Sequence, residues 1–270
     1  EVNIIDLVKS ITKFSVTLNS KMNIPKVLYK CIQEAISMRK GPVWIDIPLD
    51  IQSQLIQFPN KKFLKIKKKR EKYKLNLKRI EFELNKSKRP ILIIGHGVRL
   101  SESEKELGKL IKKLNIPFLT TWNAMDLEPY ENKLNIGSPG VVARRSSNIS
   151  IQLSDLIISI GSSLNKVITA FDEKNFEINA KKIIVDVDKN QLNKINIPRS
   201  KKIHCDAKVF IKKLLNIKNP IKPKKEWISE CYKLKKAFED EMLLKKKKSK
   251  TLNHYQIVDK LSKILKENQI

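Results

Sequence analysis

Apolar and polar positions along the chain change period several times, and each change marks an element. From Ile24 onward, Val27, Leu28, Cys31, Ile32, Ala35 and Ile36 recur at helical spacing, which predicts an amphipathic helix with Pro25 in its first turn. Met38-Arg39-Lys40 places positive charge at its end and Gly41 stops it, after which Pro42 opens a strand, Val43–Ile47, closed by Pro48. Upstream, Ile4 to Ile11 follow helical spacing and Val16-Thr17-Leu18 is β-prone. Beyond residue 88, uninterrupted apolar runs take over. Ile91–Ile94, Leu156–Ile160 and Ile183–Asp188 suit strands buried on both faces and are too short for helices. Pro117–Thr121 and Ile203–Asp206 are two more candidates.

Helical patterns separate these runs. They cover Glu102–Leu114, Ala143–Leu153 and Ala207–Leu215, and Ser101 with Glu104 reads as a capping box for the first of them. Trp122–Asp126 and Gly137–Gly140 read as loops. Tyr73–Leu84, Trp227–Lys248 and Gln256–Leu265, the last opened by Asn253-His254-Tyr255, are also helical, whereas 60–74 is dense in charge and reads as an exposed linker. Strand alternating with helix predicts an α/β fold: a Rossmann-like parallel sheet with helices on both faces, flanked by partial α/β domains.

Glycine sharpens this picture. Of seven glycines, six lie between residues 95 and 161. Gly95 and Gly97 directly follow the first buried run, giving strand, glycine turn and helix, where a nucleotide phosphate can approach backbone N–H groups. On the two glycines alone, a turn without a ligand is the simpler reading. Gly95, Thr121, Gly161, Asp186 and Asp206 end successive strands and would line the edge where open α/β sheets bind ligands. An acid in the position of Asp186 suits a ribose hydroxyl.

Composition removes some function classes. The formal net charge of +28 would ordinarily point to nucleic acid, but 48 of the 56 basic residues are lysine. With Ile and Asn also abundant, this is what AT-rich codons produce, and arginine, the better phosphate and base reader, is scarce. Nucleic-acid binding is therefore not expected. Cys31, Cys205 and Cys231 show no metal-ligand spacing and suit free thiols. No apolar run approaches the roughly 18 residues of a membrane span, so no membrane partner and a cytoplasmic location are expected. The chain opens on Glu1 in mid-pattern, which reads as a fragment of something longer.

The string GPVWIDIPLDIQ, Gly41 to Gln52, resembles the last strand of the pyrimidine-binding domain in thiamine-diphosphate-dependent enzymes of the acetolactate synthase type. The preceding helix and Ile11–Ser15 are similar to the same family, and the strand–helix series from Ile91 to Leu215 resembles its central domain. The resemblance implies residues 1–55 as the end of the pyrimidine domain, 56–88 as linker, 89–217 as the Rossmann-like central domain and 218–270 as linker and first helices of the diphosphate domain. It implies thiamine diphosphate and Mg²⁺ in the full-length enzyme, at sites outside this chain, a small 2-oxo acid substrate, and a homodimer or homotetramer. The family's catalytic glutamate would precede Glu1, and its Gly-Asp-Gly metal motif does not occur here.

Flavin-containing members hold FAD in an extended pose. Carried over residue by residue, Gly95 and Gly97 would pass close to the cofactor and Thr121, Trp122 and Asn123 would border it. Gly137 and Gly140 would flank its path, and Gly161 would admit the diphosphate or ribityl chain. Asp186 would accept from the adenosine ribose, and Asp206 would sit at the adenine end. Two departures stand against FAD: Ser163 replaces a common arginine, and His96 puts a bulky ring in the first glycine turn. Arg144 and Arg145 are the alternative sources of charge. The other readings are a structural spacer without flavin and a stand-alone nucleotide-binding or regulatory module without catalysis.

Overall fold

The computed structural model describes residues 2–57, 73–218, 220, 223, 225–246 and 254–265. In chain order the elements are α1 (Ile4–Val8), β1 (Phe14–Thr17), α2 (Ile24–Ile36), β2 (Val43–Asp46), α3 (Leu49–Gln52), α4 (Leu77–Lys86), β3 (Pro90–Ile94), α5 (Gly97–Leu100) and α6 (Glu104–Leu114). There follow β4 (Phe118–Thr120), a 3₁₀ turn at Trp122–Leu127, α7 (Arg145–Leu153), β5 (Leu156–Ile160), β6 (Lys181–Asp186), α8 (Lys189–Lys194), β7 (Ser200–His204), α9 (Ala207–Leu215), α10 (Lys225–Lys246) and α11 (His254–Ile264).

The central sheet is parallel throughout, in the order β4-β3-β5-β6-β7. Its apolar runs have no polar side because both faces are covered. Leu92, Ile94, Ile158, Ile160, Ile183 and Val185 point to one face and pack with α4, α6 and α9 through Ile80, Leu110 and Phe210. Ile91, Ile93, Ile157 and Ile184 point to the other, with Ile151 of α7, Leu192 of α8, and Trp227 and Cys231 of α10. Pro90 opens β3 in mid-sheet, where the first residue of a strand tolerates a missing N–H. Its carbonyl accepts from the Trp227 indole at 2.9 Å, which pins α10 across the sheet.

Beside β4 the chain at 134–137 adds a short parallel bridge. The Phe118 amide donates to the Leu134 carbonyl (2.8 Å), and the Phe118 carbonyl accepts from the Ile136 amide (2.9 Å). Separately, β1 and β2 form a two-stranded parallel pair covered by α2, with Leu18, Ile24 and Ile51 at its core.

Several boundaries differ from the pattern. The capping box is overturned. Gly97–Leu100 forms a helical turn immediately after the strand and takes Ser101 as its C-cap, Glu102 turns left-handed (φ 56°), and α6 starts only after Ser103. The hydroxyls of both serines donate back to the Val98 carbonyl, at 2.9 and 3.0 Å. Residues 122–127 are a 3₁₀ turn rather than a plain loop. The run Ile183–Asp188 ends as a strand at Asp186, because Asp188 caps α8 by accepting from the amides of Asn190 and Gln191. The helix expected from Tyr73 begins at Leu77 behind the Asn76 cap, and Tyr73 and Leu75 pack on the core ahead of it. The charged stretch 58–72, Asn253 and the end of the lysine run at 247–248 lie outside the described residues.

Candidate functional site

Strand β3 lies between β4 and β5, and the chain leaves β3 and β5 toward opposite faces of the sheet. After β3 it packs through Val98 and α6 on one face, and after β5 through Leu164 and Phe176 on the other. Such a divergence opens a crevice at the carboxyl ends of the strands. A cleft of 390 Å³ occupies that position. Gly97, Thr121, Trp122, Asn123, Gly161, Asp186 and Asp206 all line it; Gly95, Gly137 and Gly140 do not.

Those three glycines have packing reasons instead. A Cβ on Gly95 would stand 2.2 Å from the Gly161 carbonyl oxygen, and one on Gly97 would stand 2.7 Å from the Gly161 Cα. Gly161 itself is left-handed (φ 62°). The turns after β3 and β5 thus meet backbone to backbone, and the Gly97 amide donates to the Gly161 carbonyl at 2.9 Å. Gly140 (φ 121°) lies against the Val167 carbonyl, and Asn148 clamps both its amide and its carbonyl at 2.9 Å. Gly137 (φ 106°) leaves room for Ser147 and Arg144. Together they carry Pro139 to the cleft wall.

His96 does not fill the crevice. Its Nδ1 lies 2.8 Å from the Asn123 carbonyl, so the ring ties the first glycine turn to the 3₁₀ turn and forms a side of the cleft. Trp122 stands half-exposed at the mouth.

The acids divide their work. Asp186 is buried at the end of β6, where its Oδ1 accepts from the Asp188 amide at 2.8 Å. Burial pushes its carboxyl above the ordinary value, against that amide and the nearby Arg39. Asp188 goes the other way. Burial acts to raise it, but the Arg39 hydrogen bond and the α8 amides prevail and hold it below the ordinary range. Asp206 caps α9, accepting from the Val209 amide at 3.2 Å. Next to it, burial and then the Asp206 charge push the Cys205 thiol up to about 12, which leaves it an inert wall residue.

Positive charge comes from a place the sequence did not indicate. Ser163 lines the cleft without charge, and its carbonyl accepts from the Gln191 side chain at 3.2 Å. Arg144 turns to Tyr130, donating to its hydroxyl at 2.8 Å with the guanidinium 4.4 Å from the ring centre. Arg39 is instead the one lysine or arginine lining the cleft among the described residues, and it donates to Asp188 at 2.9 Å. The tripeptide Met38-Arg39-Lys40 carried the signal, read only as charge at a helix end; the left-handed Met38 (φ 49°) belongs to the turn after α2. Among the described residues no group of three or more His, Cys, Asp or Glu could hold a metal ion. No described helix is long and apolar enough to cross a membrane.

Residues 77–214 match the model of the thiamine pyrophosphate enzyme central domain. The chain is 30% identical over 244 residues to a probable acetolactate synthase large subunit of Methanocaldococcus jannaschii, covering 87% of this chain and 41% of that protein. It is 30% identical over 236 residues to the acetolactate synthase large subunit of Corynebacterium glutamicum, covering 85% and 37%. To the acetolactate synthase isozyme 1 large subunit of Escherichia coli it is 27% identical over 261 residues, covering 96% and 45%. The chain spans about two-fifths of the length of these relatives.

Proposed function

We infer function from one premise: the chain belongs to the thiamine pyrophosphate enzyme family, matched over its central domain. We propose that it serves an acetolactate synthase-like enzyme that joins or cleaves carbon–carbon bonds of 2-oxo acids. In that role these residues are scaffold and cofactor cleft. Similarity to acetolactate synthase large subunits over most of this chain supports the reading. Thiamine diphosphate with Mg²⁺ would supply an electron sink for the carbanion next to the substrate carbonyl. The described residues do not fit that group, since they hold no metal-binding cluster, and no step is assigned to them. We further propose a cytoplasmic enzyme that assembles as a homodimer or homotetramer.

We propose FAD, in an extended pose, as the occupant of the cleft. The observation that carries this is the convergence of Gly97, Gly161, Asp186 and Arg39 on one crevice at the divergence between β3 and β5. Without a side chain at 97 or 161, the diphosphate can lie close to the backbone. Asp186 would accept from a ribose hydroxyl, and Arg39 would meet a phosphate by turning from Asp188. Trp122 and His96 would border the ring system. FAD itself would supply redox or structural binding capacity, and the residues here only bind and orient it.

Titrating the chain with FAD and following flavin fluorescence tests this. Saturable binding that weakens about tenfold or more in Asp186→Leu is expected, the loss of one hydrogen bond to a charged acceptor. No binding, with the fold intact, would leave the structural-spacer reading in its place. Supplied with pyruvate, thiamine diphosphate and Mg²⁺, the chain alone is expected to produce no acetolactate.

A further inference from the structure

We propose a second binding site, a groove on the outer edge of the central sheet that takes a small polyanion bearing two or more phosphates. The groove, of 430 Å³, runs between the edge strand β7 and the segment 73–76 that leads into α4. Lys74, Lys189, Lys201 and Lys202 line it together with Tyr73 and His204, and no carboxylate does. All four lysines are exposed and none forms an ion pair among the described residues. Asp188, next to Lys189, is turned to Arg39 and to the α8 amides.

Edge strands commonly carry lysine as protection against pairing with other chains. A bare edge, however, has no opposite wall. Here Tyr73 and Leu75 pack on the sheet core and hold the opposite wall in place. The Tyr73 ring meets His204 edge-on, with centroids 5.4 Å apart, and His204 is in turn fixed to the Val187 carbonyl at 3.0 Å. Four lysines line this concavity, two of them neighbours on β7 whose side chains leave opposite faces of the strand, and their combined charge exceeds what a single phosphate can neutralise, so a chain of phosphates is the matching ligand. Lysine, a compact point charge, suits it without demanding bidentate geometry. The site is separate from the cofactor cleft and does not depend on its occupant.

Calorimetric titration of the 270-residue chain with inorganic tripolyphosphate at 0.15 M salt tests the proposal. One saturable site is expected, weakened at least tenfold in K201E/K202E. The control K105E/K109E carries the same charge change on the exposed face of α6 and is expected to alter affinity less than twofold. If K201E/K202E does not fold by circular dichroism, K189Q/K201Q replaces it, with at least a threefold loss expected. Absence of saturable binding, or equal loss in test and control variants, overturns the site. Tighter binding of duplex DNA through the same lysines would also overturn it, by making the groove part of a nucleic-acid surface.

Discussion

The guanidinium of Arg39 lies 2.9 Å from the carboxylate of Asp188, joining the turn after α2 to the cap of α8 across the rim of the cleft. Half the arginine side chain is in solvent, so the pair adds little to stability. Arg39→Ala is expected to change unfolding free energy by less than about 1 kcal/mol while weakening FAD binding several-fold. Denaturant unfolding and flavin titration on the same preparation separate the two effects; a stability loss without an affinity loss would make Arg39 a tether only.

Asp186 and Asp188 are expected to respond to pH in opposite directions. Burial raises Asp186, so the folded state holds its proton more tightly than the unfolded one. Its contribution therefore declines as pH climbs from the ordinary carboxylate range through the raised value. Asp188 is held low, so its contribution is present above the ordinary range and disappears as pH falls through the lowered value. Melting curves at pH 7 should show Asp186→Asn more stable than the parent and Asp188→Asn less stable. Both differences should shrink toward pH 3.

Two alanine substitutions in one glycine-rich stretch should part company. Gly95→Ala drives a Cβ into the Gly161 backbone at 2.2 Å and should cost about 3 kcal/mol or more. Gly108 lies within α6, where the added Cβ meets only the far end of the Glu128 side chain at 3.3 Å. Gly108→Ala should stabilise by about 0.5–1 kcal/mol through helix entropy. Urea midpoints measure both.

Lys182 is a buried ammonium that donates to the carbonyls of Glu177, Ala180 (3.0 Å) and Pro198 (3.1 Å). It fastens the connection entering β6 to the segment before β7. Lys182→Met keeps the stem but deprives the three carbonyls of a donor, and should destabilise by about 2–3 kcal/mol. Amide exchange should quicken first at 177–180; uniform loss across the sheet would argue against a local clasp.

The buried strands were legible because a sheet covered on both faces admits no polar alternation, and Ile91–Ile94 and Leu156–Ile160 have none. Seven of the ten cofactor candidates line one cleft, since ends of parallel strands meet at one edge. What stayed hidden depends on distant partners. Arg39 reaches Asp188 across 149 residues, and its short-range pattern shows only a charged helix end. Asp155 belongs to no pattern along the chain, yet its carboxylate accepts from the Lys88 and Arg89 amides at 2.8 and 3.0 Å. The Ser101 box failed because the α5 turn, encoded in Gly97–Leu100, claimed that serine first.

The pairing of β3 with β5 also sets an order of events in time. Arg89 and Asp155, which meet where those strands begin, are 66 residues apart. The crevice cannot exist until that long loop closes, while β3 can already pair with its nearer neighbour β4. Folding should therefore be slow and pass through a half-sheet with one raw edge of β3 open to other chains. At high concentration this intermediate, rather than the finished molecule, is where aggregation should begin.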